Sequence, residues 1–264
     1  MCIKCQKIEL AVKIDGLEPE VDRIAKLIFA GKMKPGQIDK GMVDKIATQL
    51  MKGIFKGYGK TLDAKDLSAD ERTFLTKLNT NVYVFSGFKN YHQLQETTLL
   101  LKDDNGKLKS FPDFLADVRQ VNETYNEVYL SAEYSTAVAS AQAAATWQDY
   151  VSNGIEMLTY VTAGDDRVRE EHAILEGVTY PIDHEFWDTY YPPNDWGCRC
   201  DTQPAVGGEI DPIAKSALPD IPDMFEQNVG KTGTAFPDTH PYFDVSPGVS
   251  KEINSQVSQI LKVQ

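Results

Sequence analysis

The sequence lacks most of the features that assign a chain at a glance. No apolar run approaches the ~20 residues that a bilayer-spanning helix needs, and Met1-Cys-Ile-Lys-Cys-Gln-Lys7 has none of the apolar stretch of a secretory signal. The chain is therefore expected in a cytoplasm, or in a particle assembled there, with no membrane partner. Four cysteines in 264 residues do not make a disulfide scaffold, and reduced thiols suit that compartment. There is no Walker phosphate loop, no Gly-x-Gly-x-x-Gly and no His-Glu-x-x-His. No Ser, Thr or Cys nucleophile sits in an activating motif, and neither an internal repeat nor a low-complexity tract is present.

A basic excess is missing too. Residues 1–152 hold 20 basic and 20 acidic side chains, whereas residues 153–264 hold 7 basic against 19 acidic, which is the whole of the net charge of −12. Phosphate repels such a half, so direct nucleic-acid binding through it is disfavoured without bridging cations. A protein partner or plain solubility accounts for the charge better. What is present is the material of a folded core: 42% hydrophobic and 10% aromatic residues.

The patterning predicts an α+β protein: a mostly helical region over 1–152, a small domain of short strands with an irregular aromatic and proline loop over 153–206, and an extended acidic tail with a terminal helix over 207–264. Val21, Ile24, Leu27 and Ile28 mark one face of a helix starting close to Pro19. Met42, Ile46, Leu50 and Ile54 mark a second over about 37–57. Ser68-Ala-Asp-Glu71 has the form of a capping box and announces a third to about Leu101, with a kink expected around Val82–Gly87. Pro112 opens a fourth, to about Tyr150, whose alanine run from Ala137 to Ala145 reads equally as close packing or as plain helix propensity. Strands are expected over 155–162, 178–182 and 198–203, with a short helix over 166–175 and an amphipathic one over 249–261.

The densest segment is Trp187-Asp-Thr-Tyr-Tyr-Pro-Pro-Asn-Asp-Trp-Gly-Cys-Arg-Cys200. Pro192 and Pro193 fix φ and remove two donors, and Asn194-Asp195 favours a turn, so the segment is an irregular loop. Such a loop needs anchors. Trp187 and Trp196 supply apolar area and Pro192 and Pro193 supply stiffness. His172, Cys198 and Cys200 form a zinc-type donor set, with His184, Asp183 or Asp188 as a fourth ligand; the competing reading makes the thiols small buried hydrophobes and His172 a hydrogen-bonded core group. Cys2-x-x-Cys5 has metal spacing but no second pair nearby, unless it crosses to Cys198 and Cys200 in space. His92 and His240 stand isolated.

Asp165-Asp166-Arg167-Val-Arg169-Glu-Glu-His172 is the other polar cluster. As an enzyme it would use His172 and Asp165 or Asp166 as base and acid, with Arg167 or Arg169 holding an anion. As structure, Asp165 or Asp166 caps the short helix and the arginines pair with neighbouring acids. The second reading is preferred, so no catalytic residue is assigned.

The ordered run Asp165-x-Arg-x-x-x-x-His172, Leu175-x-Gly177, Pro192-Pro193 and Cys198-Arg-Cys200 resembles the signature of the phage Mu F-like minor head proteins, the head morphogenesis proteins of tailed bacteriophages. The likeness covers about 155–204, and Glu170-Glu171 departs from it, standing where Pro-Glu is common. It implies a low-copy component of the virion head near the portal, made in the host cytoplasm, with portal and capsid proteins as partners and a part in head assembly or DNA packaging and delivery. It implies no catalytic activity, and it points to His172, Cys198 and Cys200 as metal ligands.

Overall fold

The computed structural model describes residue 14 and residues 16–33, 36–205 and 210–262; Cys2 and Cys5 lie outside them. Long helices dominate the first part of the chain. α1 (Glu18–Phe29) carries Pro19 in its first turn, acidic Glu18 and Glu20 at its positive end, and buries Val21, Ile24, Ala25 and Ile28. α2 (Lys40–Tyr58) buries the predicted stripe of Met42, Ile46, Leu50 and Ile54.

α3 (Ala69–Leu99) starts on the capping box. The Ser68 N–H donates to Glu71 Oε2 at 2.8 Å, and the Glu71 N–H donates back to Ser68 Oγ at 3.2 Å. The helix runs unbroken through Val82–Gly87, where a kink was expected. Gly87 has another purpose: a Cβ there would lie 2.5 Å from Val257 Cγ2, so the glycine admits a neighbouring side chain rather than bending its own helix.

α4 (Phe111–Glu123) is capped by Ser110 and followed by a π-helical stretch (Thr124–Tyr129) and α5 (Leu130–Ser152), where the sequence suggests one regular helix. The alanine run settles as close packing. Ala137, Ala141 and Ala144 are fully buried, and a Cβ on Gly57 would meet the Val138 carbonyl oxygen at 2.1 Å.

Three short strands follow in a sheet of order β2-β1-β3, antiparallel throughout: β1 (Met157–Val161), β2 (Thr179–Pro181) and β3 (Asp201–Pro204). Thr159 faces Thr179 on one side and Gln203 on the other. Between them lie α6 (Glu170–Ala173) and α7 (Phe186–Thr189). β3 begins after Cys198 and Cys200, both of which were expected on it. Beyond residue 210 come α8 (Val229–Thr232) and α9 (Pro247–Leu261).

The chain folds as two compact units. The sheet unit takes in Gly53–Leu78 and Ser135–Pro237; the helical unit takes in the described residues of Glu9–Lys52, Asn79–Tyr134 and Asp238–Gln264. The core of the sheet unit is Trp147, Leu158, Tyr160, Leu175, Val178, Phe186, Trp187 and Tyr191. In the helical unit Lys89 and Glu133 are both buried, and the Lys89 ammonium donates to both Glu133 oxygens at 2.7 Å. The rings of Tyr125, Tyr129 and Tyr242 lie 5.6–5.9 Å from that ammonium. The stretch after residue 238 is built into this unit. Phe243 packs on Phe88 at 4.7 Å, His92 Nε2 bonds the Tyr242 carbonyl at 2.9 Å, and α9 buries Ile253, Val257 and Ile260.

Candidate metal centre

The site forms within the sheet unit, where Asp165–His172 meets the loop Trp187–Cys200. After β1 the chain turns at Gly164, whose φ of 66° is one that side chains rarely adopt. Asp165 then organises both segments. Its Oδ1 accepts from the Arg167 N–H at 3.1 Å, and the Arg199 fork donates to Oδ2 at 2.7 Å and to Oδ1 at 2.5 Å. That guanidinium holds the Asp165 carboxyl far below the usual carboxylate range. A second cross-link runs from Arg169, which donates to the Trp196 carbonyl at 2.7 Å and lies 3.1 Å from Asp195 Oδ2.

Of the four members of the polar cluster, Asp165, Arg167 and Arg169 are thus engaged in ties, and Asp166 is exposed. The helix cap falls elsewhere than expected. Arg169 is the cap residue of α6 and its carbonyl accepts from His172 and Ala173. This single turn carries His172 inward, leaving it 3% exposed.

The loop is held by its aromatic and proline residues. Trp187 is fully buried, donates from Nε1 to the Pro181 carbonyl at 3.0 Å and meets Phe186 edge-on at 4.8 Å. An indole of this kind removes roughly 150–250 Å² from water, about 4–6 kcal/mol at ~25 cal/mol/Å² as an upper estimate. Tyr191 donates to the Ala143 carbonyl at 3.0 Å and packs edge-on against Trp147. Pro192 and Pro193 are buried and joined by a cis peptide bond. Trp196 is half-buried, edge-on to Phe225 at 5.5 Å. Gly197, at φ 66°, turns the chain into Cys198.

His172, Cys198 and Cys200 then converge. Their ligand atoms lie within 4.8 Å of one another, and each sulfur is 3.6 Å from His172 Nδ1. A tetrahedral ion with a metal–sulfur bond of about 2.3 Å and a metal–nitrogen bond of about 2.0–2.1 Å requires a sulfur–nitrogen edge of roughly 3.6 Å. Both sulfur–nitrogen edges therefore match those of a thiolate-seeking ion such as zinc. Electrostatics prepare the same set. Hydrogen bonding to Cys200 and then to His172 pulls the Cys198 thiol down, while the same contact pushes Cys200 up. A metal would bind the cysteines as thiolates.

None of the three further ligands weighed from the sequence joins this group among the described residues. Asp183 is exposed, and His184 stacks on Tyr180 at 4.0 Å and accepts the Phe186 N–H on Nδ1. Asp188 pairs with Lys231 at 2.5 Å. Sequence reasoning missed Arg199 and Asn194. The signal for Arg199 was alternation: in an extended stretch, the residue between two inward cysteines faces the other way. Asn194 was read only as a turn former, yet it is fully buried and its Oδ1 accepts from the Tyr160 hydroxyl at 2.9 Å.

Against this geometry stand the comparisons with known proteins. The model of the family described as phage Mu protein F like protein matches residues 44–203. The Mu-like prophage FluMu F protein of Haemophilus influenzae is 33% identical over 101 residues, covering 38% of this chain and 21% of that protein. The putative capsid assembly protein F of Escherichia phage Mu is 32% identical over 105 residues, with the same coverage. The chain thus spans about a fifth of the length of the curated relatives it matches. No solved structure matches it.

Proposed function

Because the chain belongs to the phage Mu protein F like family, we propose that it is a minor head protein acting in phage head morphogenesis, associated with the portal region and contributing to DNA packaging or delivery. Its partners are then portal and capsid proteins, and its place is the virion head, by way of the host cytoplasm. The name of the phage Mu relative, a putative capsid assembly protein, supports the assembly role.

The observation that carries the reading is the use to which the signature is put. Asp165, Arg169, Arg199 and Asp195 tie one segment to the other, and Trp187 fixes the loop to the core. This is a closure, and His172, Cys198 and Cys200 complete it by holding a structural zinc ion. Acid–base catalysis through His172 and Asp165 or Asp166 has less support. Asp165 is engaged by two arginines, and the void beside His172 measures about 10 Å³, against the ~300–1,000 Å³ of small-molecule sites.

The test is association. Affinity-tagged protein from cells producing heads should bring the portal protein with it and be found in purified heads. Absence from both would refute the assignment.

A further inference from the structure

Cys198 and Cys200 face each other as well as His172. The three ligand atoms lie within 4.8 Å of one another, both sulfurs are 3.6 Å from the same imidazole nitrogen, and the two thiols are in hydrogen-bond contact. Both cysteines are partly exposed, so a small solute can reach them.

The backbone holds the pair from both sides. Upstream, the Cys198 N–H donates to the Asp195 carbonyl at 3.1 Å; downstream, Asp201 pairs with Val161 as β3 begins. Arg199, the residue between the cysteines, is turned to Asp165 by its fork. Extended backbone separates Cα atoms two residues apart by about 6.6 Å, within the roughly 4.4–6.8 Å that disulfides span. A disulfide across Arg199 is therefore within reach of the chain as it stands.

The consequence of such a bond follows from the segments it joins. Held by an ion, the thiolates tie the loop to His172 on α6. Joined to each other, they link Cys198 to Cys200 inside one segment, and neither remains a thiolate ligand. The ties of Arg199 to Asp165 and of Arg169 to Asp195 and Trp196 are untouched. Oxidation thus exchanges a link between segments for a link within one.

We propose that Cys198 and Cys200 are a redox pair, which a peroxide oxidises to a disulfide with release of the bound ion. One thiolate attacks a peroxide oxygen, the O–O bond breaks, hydroxide leaves and a sulfenic acid forms. The second thiolate attacks that sulfur, the S–O bond breaks, a second hydroxide leaves and the S–S bond forms. The sulfurs lose two electrons and the peroxide gains them; solvent protonates both hydroxides, and zinc departs as the divalent ion. The proposal rests on the head-protein and metal-clamp readings given above. A protein made in a reducing cytoplasm and carried out of it in a particle changes redox compartment, so the centre is clamped during assembly and unclamped after release.

The full-length protein, reduced and loaded with zinc, is treated with hydrogen peroxide. Released zinc is read with a chromogenic chelator, and the cysteine peptides are read by mass. Zinc should appear in step with a two-hydrogen mass loss on the peptide carrying Cys198 and Cys200, and dithiothreitol with fresh zinc should reverse both. Cys200→Ser, treated alike, should lack the two-hydrogen loss. Thiols that stay reduced, sulfinic acids without a disulfide, bonds from either cysteine to Cys2 or Cys5, or zinc retained beside the disulfide overturn the proposal and leave the clamp standing. A reduced protein that takes up no zinc overturns the clamp before peroxide is added, and the peptide mass then decides the pair alone.

Discussion

In the helical unit a buried charge pair is satisfied by neighbouring side chains: Lys89 and Glu133 meet at 2.7 Å, and the Tyr242 hydroxyl adds a further hydrogen bond to Glu133. In the sheet unit three ligand atoms converge instead on a point between them, and the salt links around them are partly exposed. The first arrangement is a packing solution, in which removing one partner strands a charge. The second brings two thiols and an imidazole to the spacing that a metal ion would need. Buried polarity alone does not mark a candidate site; metal-ligating residue types at ligand spacing do.

The largest expected effect breaks the first half of this comparison. Glu133→Ala should cost about 3–5 kcal/mol in urea unfolding of the helical unit, because Lys89 is left buried and uncompensated. The double change Lys89→Met with Glu133→Leu should cost far less. Equal losses for the two would mean that the charges are not the issue.

Next comes pH. Burial, aided by Lys89 and His92, lowers His240 from 6.5 to about 4. The unfolded state therefore holds the extra proton between those values, so this contribution to stability is fully present above pH 6.5 and is lost as pH falls toward 4, about 3 kcal/mol in all. His240→Asn keeps an acceptor for the Tyr242 N–H and should flatten the stability curve in that window. Parallel curves for variant and parent would count against it.

What the sequence made legible follows from where each signal lies. Helix faces showed because 3.6-residue periodicity is local: α1 begins close to Pro19 as expected, and α2, α3 and α9 begin and end within a few residues of the expected limits. His172, Cys198 and Cys200 could be singled out because ligand chemistry is confined to few residue types. The register was harder. Both cysteines were assigned to a strand, whereas pairing begins at Asp201; the Cys198 N–H donates to the Asp195 carbonyl in a turn instead. Lys89 with Glu133, and the bond of His92 to the Tyr242 carbonyl, were invisible. Their partners are distant in sequence, and a lysine inside a helix reads as a solvated one. Gly87 misled for the same reason, since its neighbour comes from α9.

Two smaller effects sharpen the second half of the comparison. With free zinc a hundredfold above its dissociation constant, metal linkage adds about 2.7 kcal/mol. The double change Cys198→Ser with Cys200→Ser should therefore lower the thermal midpoint of the sheet unit only when zinc is supplied. Hydrogen-exchange protection of α1 and α4 should stay as it was. A zinc-independent loss would make the cysteines packing residues. Smallest is Ser68→Ala, expected to cost about 1 kcal/mol through the lost N-cap of α3, read as a shift in urea midpoint with or without zinc.

Elemental analysis of the purified protein is the most direct test of the closure, taken beside the variant with Cys198 and Cys200 changed to serine. The account predicts stoichiometric zinc in the parent and none in the variant. A parent that folds, enters heads and carries no metal would contradict it.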